Sequence, residues 1–191
     1  MPIACARPPK LNDADTVLYE IYMLRFAAKR LVRERWEEPQ DAWVYLEDFL
    51  IHYRNLIEFL GKQNNIRDTD LHVTTIWTRL GVAAPADIAR VSAEGAKLWA
   101  EYEIAEDRIS RYLQHCTTKR TEAKNWIVDE MSEKIESLLT KIVPPLQSQS
   151  HNVELPRVEA VEFPNPHVAS TAVFTPTAAA LRPIRPAEPD K

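Results

Sequence analysis

The sequence predicts an all-α protein: a bundle of four long helices with short extra helical turns, followed by a disordered proline-rich tail. Three observations predict it. Apolar residues recur at i, i+3, i+4 and i+7 along four separate stretches. The chain holds only 3 glycines and few β-branched runs, so strand and hairpin signals are weak. Most of its 14 prolines fall after Val143, where the helical period is lost.

Residues 1–12 are read as a flexible start. Asn12 or Asp13 can cap the first helix, with Asp15 adding negative charge in its first turn. Its expected stripe is Val17, Ile21, Leu24, Ala28, Leu31 and Val32. Arg25, Lys29, Arg30, Arg33 and Arg35 gather toward its C-terminal half, where the helix dipole favours cations. In an acidic chain this basic run reads as a solvated face rather than a phosphate site.

The second helix carries the strongest period. Trp43, Leu46, Phe49, Leu50, Tyr53, Leu56, Ile57 and Leu60 form one apolar stripe. Pro39 suits the first turn, and Gly61 is expected to end the helix in the left-handed region. Residues 62–84 read as a loop with a helical turn or two, punctuated by Gly81 and Pro85. Leu71, Val73, Ile76, Trp77 and Leu80 return apolar side chains to the core. Pro85 can open a short helix through Val91.

Ser92 is the expected N-cap of a third long helix, about residues 93–118. Its stripe is Leu98, Tyr102, Ala105, Ile109, Tyr112, Leu113 and Cys116, with Gly95 in its first turn. The fourth spans about 125–143. Its stripe is Ile127, Met131, Ile135, Leu138, Leu139 and Ile142, and Pro144–Pro145 is expected to stop it. The bundle domain is therefore placed at 13–143 and the tail at 144–191. The tail lacks the apolar surface to offset its ordering entropy. Its islands are Val158–Phe163, Ala172–Phe174 and Ala178–Leu181; the first is short enough to dock in a groove or on a sheet edge, but an inert solubilising tail is the favoured reading.

Composition narrows the function. A net charge of −4 argues against a general binder of nucleic acid or acidic membranes. Charges interrupt every apolar run before it reaches a membrane span. The start lacks the apolar core of a signal peptide. Cys5 and Cys116 make no disulfide framework, so a reduced, cytoplasmic protein is expected. No histidine follows a glutamate by three residues, and neither His-x-x-x-His nor Cys-x-x-Cys occurs, so no metal and no cofactor is expected. There is no phosphate-binding glycine loop and no Gly-x-Ser-x-Gly nucleophile turn.

Two polar clusters remain. His52 and Arg54 lie about 100° to either side of Tyr53, on opposite edges of the stripe, with Asn55 further round on the His52 side. One helix cannot aim both at one ligand, so each should meet a different neighbour. His115 lies at a similar border of the third helix, with Arg120 following. A groove lined by His52, Arg54, Asn55, His115 and Arg120 is the candidate site. The bland alternative is a set of half-buried boundary residues bonded to backbone or solvent.

The stretch His52-x-Arg54-Asn55-Leu56-Ile57-x-Phe59-Leu60, followed by Asp68 and Asp70, resembles a bacterial family of uncharacterised helical proteins. A second signature, His115-x-Thr117-x-x-Arg120 with Trp126 beyond, looks like the same family. The resemblance covers about residues 13–143 and implies an all-α fold without an established activity. It is also distantly similar to HEPN-type domains, some of which are metal-independent ribonucleases of defence and toxin–antitoxin systems. Arg67-Asp68-Thr69-Asp70-Leu71-His72 matches their Arg-x4-His pattern. There His72 would serve as general acid or base on a ribose hydroxyl, and Arg67 would stabilise the phosphorane charge. This match falls in the expected loop, whereas the family's pair lies at a helix. The expected function is thus a non-catalytic interaction or dimerisation module binding a protein partner or a second copy. The alternative is a HEPN-like ribonuclease acting on RNA through Arg67 and His72, or through the His52/His115 groove.

Overall fold

A computed structural model describes residues 12–33, 38–105, 108–114 and 126–150. All regular structure among them is helical: α1 (Asp13–Arg33), α2 (Pro39–Gly61), α3 (Ile76–Leu80), α4 (Ile88–Trp99), a π turn (Ala100–Ile104), α5 (Ile109–Gln114) and α6 (Val128–Gln147). Helix α1 packs between α2 and α6, α2 packs on α4, and α4 reaches α6, which closes a ring of four helices. Helix α3 covers α1, and α5 lies on α2.

The N-terminus of α1 is set by a reciprocal cap. Asn12 Oδ1 accepts the Asp15 amide at 2.7 Å, and Asp15 Oδ2 accepts the Asn12 amide at 3.4 Å. Val17, Ile21, Leu24 and Ala28 are buried as the period requires. Arg25 departs from the solvated-face expectation. It is buried, and its guanidinium grips Glu136 of α6 at 2.5 and 2.6 Å. A position at the stripe's edge is charged in sequence but covered once α6 arrives.

Helix α2 buries Leu46, Phe49, Leu50, Tyr53, Leu56, Ile57 and Leu60. Trp43 is 43% exposed, contrary to its place in the expected stripe. Ala42 takes the inward position of that first turn instead. Gly61 is helical, not a left-handed cap. It touches α4 so closely that a Cβ on it would lie 2.1 Å from the Gly95 carbonyl carbon. The left-handed cap is Gly81, with φ 70°, at the end of α3.

The third helix is not one rod. Helix α4 starts after Asp87 rather than at Ser92, which places Gly95 in its middle. The winding then widens to a π turn, and Ala105 adopts an extended ψ of 158° that ends it. Ala105, expected in the stripe, is exposed at this break. Helix α5 resumes beyond it and buries Ile109.

Helix α6 begins at Val128, so Ile127 precedes it and is 61% exposed instead of continuing the stripe. It also runs through Pro144 and Pro145 to Gln147, four residues past the expected stop. Each proline forfeits a backbone donor. Tertiary contacts hold the extra turn: Leu146 is fully buried, Asn12 Nδ2 donates to the Gln149 carbonyl at 3.1 Å, and Ser150 Oγ bonds Asp15 Oδ1 at 2.5 Å. The expected tail lies outside the described residues from 151 onward.

Candidate functional site

Helix α2 presents two polar clusters, one on each edge of its buried stripe. On the α1 side, His52 is buried between two carboxylates. Its Nδ1 lies 2.7 Å from Glu20 Oε2 of α1, and its Nε2 lies 3.3 Å from Asp48 Oδ1, one turn back on α2. Asn55 Nδ2 donates to the same Glu20 oxygen at 3.0 Å. The Tyr19 ring meets the imidazole edge-on, with centroids 6.0 Å apart. Only the imidazolium can donate to both carboxylates at once. Burial pushes the Asp48 carboxyl above the usual range, the neighbouring His52 opposes this, and Glu20 adds to the rise.

On the opposite edge Arg54 reaches α5 and the π turn. Its Nε donates to Ser110 Oγ at 2.6 Å and lies 3.7 Å from Glu103 Oε1. Its terminal nitrogen lies 3.4 Å from Glu58 Oε2. Ser110 in turn donates its hydroxyl to Glu103 Oε2 at 2.6 Å and its amide to Oε1 at 2.9 Å. Glu103 is buried, and its charge is satisfied by these bonds at the start of α5. The carboxylate of the π turn thus ties together the two sides of the helix break.

Beyond it, Lys134 of α6 bonds Glu101 at 2.9 Å and Glu130 at 2.7 Å, and its ammonium lies 5.7 Å from the Tyr102 ring centre. These two carboxylates, Glu101 first, push the Lys134 ammonium up. Tyr102 meets Tyr53 edge-on at 5.2 Å. Burial, and then Tyr102, pushes the Tyr53 phenol up, and its hydroxyl has no well-formed hydrogen bond.

Arg67 and His72 occupy the connection between α2 and α3. Arg67 is exposed, and its amide donates to Asp70 Oδ2 at 3.0 Å, closing a turn. His72 is buried. Its Nδ1 lies 2.8 Å from Thr74 Oγ1 and 3.3 Å from the Thr74 amide, so Nδ1 accepts from that amide. The His72 carbonyl accepts the Ile76 amide at 2.9 Å and so starts α3. Burial lowers the imidazolium from the ordinary histidine value, with the Lys62 backbone pulling the other way. No hydrogen bond or ion pair joins Arg67 to His72 among the described residues. His115 and Arg120 lie outside the described residues, so the groove's far wall does as well.

Both nitrogens of His52 already face carboxylates of the chain, which leaves neither aimed at an incoming substrate. Glu20 and Asp48 lie against opposite ring nitrogens, so their oxygens do not converge on one point. Among the described residues no group of three or more histidines, cysteines or carboxylates is placed to hold a metal ion. Nor is any described helix long and apolar enough to cross a membrane.

Glu20, Glu103, Ser110 and Glu136 escaped sequence reasoning. Each meets its partner across helices, and no periodicity encodes that pairing. The Asp48/His52 and Arg54/Glu58 spacings were the available signals, since residues four apart adjoin on a helix. Comparison with models of known protein families, with curated proteins and with solved structures found no match.

Proposed function

We propose that this chain is a non-catalytic helical module that associates through the outer face of α2 with a protein partner, a second copy being the first to test. The supporting observation is exposed apolar surface at helical spacing. Val44 is 63% exposed and Ile51 44%, and they stand two turns apart on the side of α2 away from Tyr53. Trp43 extends the patch at its start, and large aromatic side chains of this kind anchor interfaces. Paired anchors at i and i+7 are how one helix docks on another. The reading places the protein in the cytoplasm and gives it no cofactor.

The inward-facing polar groups fit the same reading. His52, Asn55 and Arg54 are engaged in pairs that lock α1, α2 and α5 together. In its Arg67/His72 form, the HEPN-like ribonuclease alternative needs these two side chains to grip one phosphate, whereas its other form, through the His52/His115 groove, involves His115 outside the described residues. A buried His72 engaged by Thr74 and an exposed Arg67 weigh against the first form.

Sedimentation across a range of concentrations tests the proposal. A dimer that is lost in Val44→Lys with Ile51→Lys, at unchanged helix content, supports it. A monomer at every concentration removes the self-association form. Incubation with total RNA tests the alternative: cleavage that disappears in His72→Ala and His115→Ala would establish an enzyme instead.

A further inference from the structure

Helix α1 carries an outward stripe besides its core face of Val17, Ile21, Leu24 and Ala28. Tyr19, Tyr22 and Phe26 point the other way, three and then four residues apart, the spacing of a coiled-coil seam. A helix face turned to solvent ordinarily carries charge. Here Tyr19 is 40% exposed, and Tyr22, Met23 and Phe26 are half-buried. Tyr22 stacks on Phe26 at 6.3 Å, and the Arg30 guanidinium lies 5.2 Å from the Phe26 ring centre and 5.9 Å from that of Tyr45 on α2.

The stripe runs beside the outer side of α2. Phe26 meets Tyr45 at 6.0 Å and Tyr19 meets His52 at 6.0 Å, so the two helices run antiparallel and are tied in register. Val44, Asp48, Ile51 and Asn55 follow one another on α2 at the same kind of spacing, four, three and four residues apart. Helices α1 and α2 thus share one outer face.

That face is complementary to itself. Let a second copy be turned over on a two-fold axis that crosses both helices, so that α1 opposes α1 antiparallel with Tyr22 opposite Phe26 of the copy. The tie between α1 and α2 then puts Val44 opposite Ile51 of the copy to within one residue, an agreement that the α1 pairing does not itself require. Charge agrees as well. Arg30 leans toward α2 at one end of the face, and the Glu20 carboxylate lies on the α2 side toward the other end. The turn brings Arg30 to within two residues of the level of Glu20 of the copy, about 3 Å of helix rise. A parallel arrangement would set the two Arg30 side chains at one level. Asp48 falls beside the axis and so approaches Asp48 of the copy. His52 Nε2, 3.3 Å from Asp48 Oδ1, offsets that charge within each chain.

We propose that a second copy docks on this face, α1 on antiparallel α1 and α2 on antiparallel α2, with Tyr22 and Phe26 at the centre and Arg30 of each copy beside Glu20 of the other. The inference rests on the α2 association proposed above and adds to it a second helix and a register.

Cysteine cross-linking tests the register, in the full chain with Cys5→Ser and Cys116→Ser. Met23 stands one residue from the axis, so Met23→Cys should oxidise to a disulfide-linked dimer. Tyr19→Cys should not, because the two Tyr19 positions are ten residues of helix apart, about 15 Å. In sedimentation Arg30→Glu should weaken the dimer about tenfold by facing Glu20 of the copy with a like charge. Asp48→Asn should tighten it, and circular dichroism checks helix content in each variant. A dimer that is lost in Val44→Lys with Ile51→Lys, yet is cross-linked equally through Tyr19→Cys or is indifferent to Arg30→Glu, overturns this inference and leaves the α2 association standing. A monomer at every concentration removes self-association itself, and this arrangement with it.

Discussion

Arg25 of α1 and Glu136 of α6 form a two-point ion pair, 2.5 and 2.6 Å, with both side chains largely removed from water. The fork geometry matches guanidinium to carboxylate, which makes the pair a fixed register mark between the two helices. Such a pair is expensive to break on one side and inexpensive to replace as a whole, because the penalty lies in the stranded charge. Arg25→Ala or Glu136→Ala should lower stability by about 3–5 kcal/mol. Arg25→Met with Glu136→Leu should come back near the starting value. Urea unfolding of the three chains checks this, and equal losses in single and double variants would contradict it.

The second prediction concerns the crossing of α2 and α4. A Cβ on Gly95 would lie 2.7 Å from the Leu60 carbonyl carbon and 2.7 Å from Leu60 Cβ, and the contact from Gly61 is closer still. Alanine in mid-helix gains only about 1 kcal/mol of propensity over glycine. Forcing two backbones apart costs more than that, about 3 kcal/mol at this kind of contact. Gly95→Ala and Gly61→Ala should therefore destabilise the fold. Gly81→Ala meets open space and loses only the left-handed preference, roughly 1–2 kcal/mol. Thermal melts that rank Gly81→Ala as the most harmful of the three would show that the crossing is looser than described.

The third prediction is a pH dependence from His72. Burial lowers its folded pKa from 6.5. As pH falls through that value the unfolded chain takes up a proton that the folded chain refuses. The stability contribution is therefore present above 6.5 and is lost as pH drops through the folded value. Asp48 has the opposite sign: its folded value is raised, so its contribution is present below 3.8 and is lost as pH rises through the folded value. Denaturation curves from pH 8 to pH 5 should show falling stability in the natural chain, and a shallower slope in His72→Gln, at roughly the ordinary histidine range. Identical slopes would mean that His72 is not buried in its neutral form.

The spacing of apolar residues along the chain is enough to place the helices and most of their buried faces. Tyr53 and its neighbours at i±3 and i±4 are apolar whatever packs on them, because a period of 3.6 is a property of one strand of chain. The cap at Asn12 was legible for the same reason, since its partner is three residues away. So was the division of His52 and Arg54 between opposite edges of α2. Their partners arrive only when the helices pack. Glu20, Ser110 and Glu103 come from other elements, and their distance along the chain leaves no local signature. Packing also overruled local rules where burial outweighed them. Pro144–Pro145 remains helical because Leu146 has a core to enter and Asn12 and Asp15 wait for the turn beyond. Arg25 went inward because Glu136 stood opposite. Gly61 and Gly95 serve a backbone crossing rather than a cap and a first turn, because only a second helix at that distance makes the missing side chain necessary.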